Sequence, residues 1–198
     1  MTSNLEMLYA LAGVERLQPP LPRFYFLRHG ETAGNHARII QSPTDPLNET
    51  GRRQAEAAAQ MLRDAPFERI FASDFRRAHE TAKTVARATS KPLRVLPTLG
   101  ERVFGRFAGA SNIHLDWAAH PPGGESLYAF VSRTKAGLAD AVGRGVMPLI
   151  VAHGGTLRVL AGALGMVPPD LAVANATPLL FQREGEQWRL DLVASASP

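Results

Sequence analysis

Twice in this sequence a short apolar run ends in a histidine followed by glycine: "FYFLRHG" over residues 24–30 and "LIVAHGG" over 149–155. An unbroken apolar run of this length, closed by a polar break, reads as a strand buried on both faces, the kind that belongs to a parallel sheet. If the two strands are parallel neighbours, His29 and His153 share the crevice at their carboxyl ends, where open α/β sheets bind ligands. A third run, "RIFAS" at 69–73, leads into a helix beginning near Ser73 or Asp74, either of which suits an N-cap, with Arg76 and Arg77 in its first turn. The positive end of that helix also favours an anion. Two histidines, several arginines and helix starts facing one crevice point to a phosphate site.

The remaining patterning alternates strand and helix. "LNETGRRQAEAAAQMLRD" predicts a helix capped by Asn48, "LRVLP" a short strand, residues 125–143 a helix, and "TLRVLAGALG" a helix ended by Gly165. "TPLLFQ" and "QWRLDLV", separated by "REGE", predict a hairpin. The expected fold is a three-layer α/β/α sandwich with a largely parallel central sheet, formed by residues 23–198. Residues 1–22 end in "LQPPLP", which breaks any preceding helix and marks an N-terminal extension. "LEMLYAL" within it predicts a short amphipathic helix packed on the domain or on a second copy, so a homodimer is one expected assembly.

Composition narrows the partners. At 198 residues and 45% hydrophobic content the chain can fill one core, and it has no cysteine for disulfides, thiolate chemistry or metal ligation. No apolar stretch approaches the roughly 20 residues that cross a bilayer, and a soluble, cytoplasmic protein without membrane contact is expected. Arginine supplies 19 of the 22 basic residues in a chain of net charge +4. They are scattered rather than clustered and are not interleaved with aromatics, which argues against nucleic acid and for a small anionic ligand.

"LRHGET" with Asn35, "DPLNETGRRQA", "ASDFRRAHETA", "LGERVFGRFAG", "PPGGES", "VAHGGTLR" and "NATP" follow one another in an order and spacing that resembles the histidine phosphatase superfamily, the group that includes the cofactor-dependent phosphoglycerate mutases. The resemblance covers roughly residues 22–193. It implies that His29 is a nucleophile forming a phosphohistidine, and that Arg28, Arg77 and His153 hold the phosphoryl oxygens. Glu101 would be the proton donor to the leaving group and later the activator of water. Asn35, Thr32, Gly154, Glu125 and Ser126 would bind substrate. The substrate side would be a small phosphorylated molecule or inorganic phosphate, and the mechanism needs no cofactor and no metal.

A metal site of His29, His153 and a carboxylate is the alternative for the histidine pair, disfavoured by the arginines around it and by the absence of helical metal-ligand spacing. Arg76, Arg102 and Arg106 are expected at the surface or the pocket rim, and His36, His79, His114 and His120 have no matching role. Phe107-Ala108 stand where many small phosphatases of the superfamily have Trp-Glu, which puts substrate choice in question. Only 51 residues separate Glu101 from His153. The classical mutases carry a longer insertion there, so hydrolysis is expected over phosphoryl transfer between substrates, with a mutase or a non-catalytic phosphate-binding module as alternatives.

Overall fold

The computed structural model describes residues 5–113, 115–166 and 174–193. Six strands form one sheet: β1 (Arg23–Arg28), β2 (Arg69–Ala72), β3 (Leu93–Val95), β4 (Pro148–Ala152), β5 (Pro178–Glu184) and β6 (Gln187–Leu192), in the order β3-β2-β4-β1-β5-β6. The first four in that order run parallel, and β5 and β6 form the antiparallel hairpin at one edge. β1 and β4 are neighbours in register, with Leu27 opposite Val151 and Arg28 opposite Ala152. The two His-Gly units therefore leave the sheet side by side, as their common pattern predicts.

Why these runs are continuous rather than alternating follows from the two-sided burial. Successive side chains of a strand point to opposite faces. Phe24, Phe26, Ile150 and Ala152 enter one core, and Tyr25, Leu27, Leu149 and Val151 enter the other. The first core is covered by α1 (Glu6–Gly13), α5 (Leu127–Val142) and α6 (Gly154–Ala163). The second is covered by α3 (Glu49–Met61) and α4 (Arg76–Thr89), which meet through small residues such as Ala58 and Ala82. The result is the expected α/β/α sandwich.

Residues of the N-terminal extension pack on the domain. Leu8 and Ala12 of α1 are fully buried, and α1 approaches α6 so closely that a Cβ on Gly162 would stand 2.8 Å from the Ala12 Cβ. Leu17 N–H then donates to Ala163 O at 2.9 Å, extending the contact past the helix end.

Local chemistry explains several helix ends. Asn48 caps α3 by accepting from Gly51 N, Ser126 caps α5 by accepting from Ala129 N, and Gly165 takes the left-handed φ of +73° just past α6. A five-residue helix, α2 (Ala33–Ala37), is added after β1, with Thr32 as its cap. The start of α4 departs from expectation. Neither Ser73 nor Asp74 is its cap: Phe75 occupies the cap position without a side-chain bond, and Ser73 Oγ accepts from Phe75 N–H ahead of the helix and meets His153 Nε2.

Candidate active site

His29 is aimed by backbone on both sides of it. Its N–H donates to Ala152 O at 3.0 Å, carrying the β1–β4 ladder one residue past the strand. The chain then turns at Gly30, whose missing Cβ would stand 2.3 Å from Gly51 O of α3, and Gly30 N–H is held by Thr81 Oγ1. The ring makes two informative contacts: Nδ1 lies 2.7 Å from Gly30 O, and Nε2 lies 3.2 Å from Arg77 Nε. A carbonyl can only accept and a guanidinium can only donate, so Nδ1 carries the proton and Nε2 presents its lone pair. Burial first, then the charges of Arg77 and Arg28, hold the imidazole well below its ordinary pKa. It is a neutral ring with an unprotonated nitrogen facing an arginine.

His153, the N-cap residue of α6, is fully buried with its ring centroid 5.2 Å from that of His29. Its Nε2 lies 2.9 Å from Ser73 Oγ, which also accepts from Phe75 N. A Ser73 O–H donated to Nε2 leaves the proton on Nδ1, and Nδ1 is a buried atom with no partner among the described residues. Burial, followed by Arg77 and then His29, lowers the pKa of this ring well below its ordinary value too. A buried polar atom left unpaired costs about 1–3 kcal/mol.

Arg77, 2% exposed, bonds His29 through Nε and Ser42 O through Nη1 at 2.8 Å. Its burial brings its pKa down to about 10 against the opposing carboxylates of Glu101 and Asp45, so it remains a cation at neutral pH. Arg28 is lowered in the same way by burial, with Glu101 opposing. The Glu101 carboxylate is fixed by two backbone donors: Gly155 N–H in the first turn of α6 to Oε2 at 2.8 Å, and Arg102 N–H to Oε1 at 3.0 Å. A Cβ on Gly155 would lie 2.1 Å from Oε1, so glycine is what permits this approach.

These groups line an open cavity of about 650 Å³. Arg28, His29, Asn35, Arg77, Glu101 and Gly154 are on its wall, and His153 is packed beneath it against His29. Three residues expected to bind substrate are not on that wall. Thr32 is fully buried, its hydroxyl capping α2 and bonded to Gln41; Ser126 is the cap of α5; Glu125 is paired with Arg133 at 2.8 Å and accepts from Val103 N. That pairing, together with the bond from Val103 N–H, holds the Glu125 pKa low despite burial. Their polar atoms are occupied with building the scaffold.

Arg102 lies at the cavity, as one of its two expected places, but is buried rather than exposed there. It is 1% exposed, and its guanidinium donates to Trp117 O, Ala119 O and Glu125 O, clamping the loop that forms one wall. Arg76 and Arg106 are exposed as expected. His36 and His120 are exposed, His79 is half-buried, and His114 lies outside the described residues. Phe107 is exposed and off the wall, whereas the indole of Trp117 lines it, edge-on to Phe104.

Ser73, Gln41, Trp117 and Arg158 belong to this region and were not legible as site residues. For Arg158 a signal existed: in "HGGTLR" it lies four residues after Gly154, on the same helix face. The helix start of α4 contributes less than expected, since Arg76 N–H is taken by Pro43 O.

The family model of the histidine phosphatase superfamily (branch 1) matches residues 24–196. The chain belongs to that superfamily. Among curated relatives, it is 34% identical over 164 residues to an adenosylcobalamin/alpha-ribazole phosphatase of Salmonella typhimurium, covering 74% of this chain and 81% of the relative. It is also 34% identical over 161 residues to a Yersinia pestis protein named "Probable phosphoglycerate mutase GpmB", covering 73% and 75% of the two chains. Among solved structures, a mycobacterial glucosyl-3-phosphoglycerate phosphatase complexed with VO3 superposes with a TM-score of 0.74 at 29% identity, covering 89% of this chain and all of that one. Within this superfamily the His29, Arg28, Arg77, His153 and Glu101 cluster is the candidate active site.

Proposed function

We propose that this chain is a phosphomonoesterase that hydrolyses a small phosphorylated metabolite through a phosphohistidine at His29 Nε2. The observation that carries the reading is the fixed tautomer: Gly30 O holds the Nδ1 proton, so the unprotonated Nε2 faces the cavity's arginines. In the first step the Nε2 lone pair forms the N–P bond as the P–O bond to the leaving group breaks. Glu101, reached by Gly155 N–H and Arg102 N–H, gives the departing oxygen its proton. Arg28 and Arg77 offset charge on the equatorial oxygens, with His153 Nδ1 as a further donor. In the second step Glu101 takes a proton from water, whose oxygen displaces the imidazole from phosphorus, and inorganic phosphate leaves.

The phosphatase relatives support hydrolysis of small phosphorylated metabolites, and the open cavity gives water access to the phosphohistidine. The likeness to GpmB favours a second reading, transfer of the phosphoryl group back to a substrate oxygen. Hydrolysis of p-nitrophenyl phosphate in excess EDTA, compared between wild type and His29→Ala, tests the first. Turnover that survives EDTA and is lost in the variant supports it; turnover unaffected by the substitution overturns it. Interconversion of 3- and 2-phosphoglycerate faster than phosphate release would favour the mutase.

A further inference from the structure

One wall of the cavity is not made by the sheet and its crossover helices. Leu5, which opens α1, lines it, and so does Arg158 of α6. Arg158 Nη1–H donates to Tyr9 Oη on α1 at 3.3 Å, so the N-terminal segment holds a cation that faces the same space as Arg28 and His29. The two arginines are close enough that the charge of Arg158 lowers the pKa of Arg28.

Charge balance gives Arg158 a role. Four arginines and a single carboxylate, Glu101, line the cavity. With the acid Glu101 carrying its proton, the phosphoryl dianion of a monoester offsets two positive charges, Arg77 and Arg28 being the pair assigned to it, and the donors of Arg102 are occupied by loop carbonyls. Arg158 remains. Among the described residues it makes no ion pair, and its side chain donates to a neutral phenol. An arginine side chain carries high rotamer entropy, and tethering it at a pocket wall without a carboxylate leaves its other donors for an acceptor entering the cavity.

We propose that Arg158, positioned by Tyr9 of the N-terminal helix, binds a second anionic group on the substrate, so that the preferred substrates carry a carboxylate or a further phosphate besides the one hydrolysed. This rests on the phosphatase reading and narrows its substrate class. It also gives residues 5–13 a part in specificity: α1 supplies both the apolar wall at Leu5 and the tether at Tyr9.

Two matched pairs test it at short and long reach: 3-phosphoglycerate against glycerol 3-phosphate, and fructose 1,6-bisphosphate against fructose 6-phosphate. The readout is the ratio of kcat/KM within each pair, which general damage to the fold would not change. Wild type is expected to prefer the more anionic member of at least one pair by about tenfold or more, the range of a charge-assisted hydrogen bond. Arg158→Gln should collapse that ratio towards one, Tyr9→Phe should reduce it in part, and Arg158→Lys should retain part of it. Calorimetric binding of the same compounds to His29→Ala reads the preference without turnover, so failure of the phosphatase reading, seen as no His29-dependent p-nitrophenyl phosphate hydrolysis, is separable. Absence of preference in both pairs by both readouts, or a preference untouched by Arg158→Gln, overturns the proposal.

Discussion

Gly155→Ala isolates the work of Glu101 from the rest of the site. The added Cβ would stand 2.1 Å from Glu101 Oε1 and 2.8 Å from Trp117 Cη2, where ordinary contacts need roughly 3.5 Å. The carboxylate is the movable end of a flexible side chain, so it yields first and retreats by about 1 Å. Stability changes little, because alanine in a helix gains about 0.5–1 kcal/mol over glycine and offsets part of the crowding. Proton transfer does not tolerate the shift: misplacement by 1 Å costs about 10²-fold, within the 10²–10⁴-fold that a general acid supplies. The assay is steady-state and rapid-quench kinetics with an alkyl phosphate and with p-nitrophenyl phosphate, alongside a urea melt. The variant should lose about 10²-fold in kcat on the alkyl ester. With the aryl ester, whose phenolate leaves without a proton, it should show a burst of p-nitrophenol followed by slow turnover, since activation of water still needs Glu101. An unchanged kcat on the alkyl ester in a folded variant would refute the reasoning.

Other predictions follow from burial and titration. His29 and His153 are held neutral in the fold, whereas the unfolded chain protonates them near pH 6.5, so stability present above that pH is lost as pH falls. Stability should therefore fall between about pH 7 and 5.5, and urea melts of a His29→Asn/His153→Asn variant should lack that dependence; an equal dependence in both proteins would contradict it. Arg102→Ala strands three loop carbonyls and should cost about 2–4 kcal/mol, against less than about 0.5 kcal/mol for the exposed Arg76→Ala, with new proteolytic cleavage near Trp117. Thr32→Ala should cost about 1 kcal/mol by removing the cap of α2, with any KM change secondary to Asn35, whose N–H it holds.

What was legible in the sequence is what local rules determine. Two apolar runs ending in His-Gly predict adjacent strands, because a strand buried on both faces has few other places to lie. Asn48 reads as a cap because its acceptor serves a donor three residues away. Thr32 and Ser126 are caps whose partners, Asn35 N–H and Ala129 N–H, lie three residues on, so the local rule that reads Asn48 reads them as well. Glu125, Ser73 and Arg102 are polar side chains whose partners are chosen by tertiary structure. Ser73 Oγ accepts from Phe75 N–H just ahead of α4 and also meets His153 Nε2 at 2.9 Å, a partner 80 residues away in sequence that no local pattern announces. Arginine is rarely buried unless paired, and the pairing of Arg102 is with backbone carbonyls of an irregular loop, which leave no mark in the sequence. The acidic Glu125 beside its glycines likewise suits a pocket or a scaffold until Arg133 is seen across from it.

The proposed hydrolysis passes through a covalent bond between phosphorus and His29 Nε2. The measurement that tests it most directly is acid-free rapid quench of the enzyme with an aryl phosphate, followed by peptide mass spectrometry under alkaline conditions. One phosphoryl group per chain, stable to alkali and labile to acid, is expected on the peptide containing His29, and none in His29→Ala. A phosphoryl group on another residue, or single-step turnover with water and no phosphoenzyme in an active protein, would contradict it.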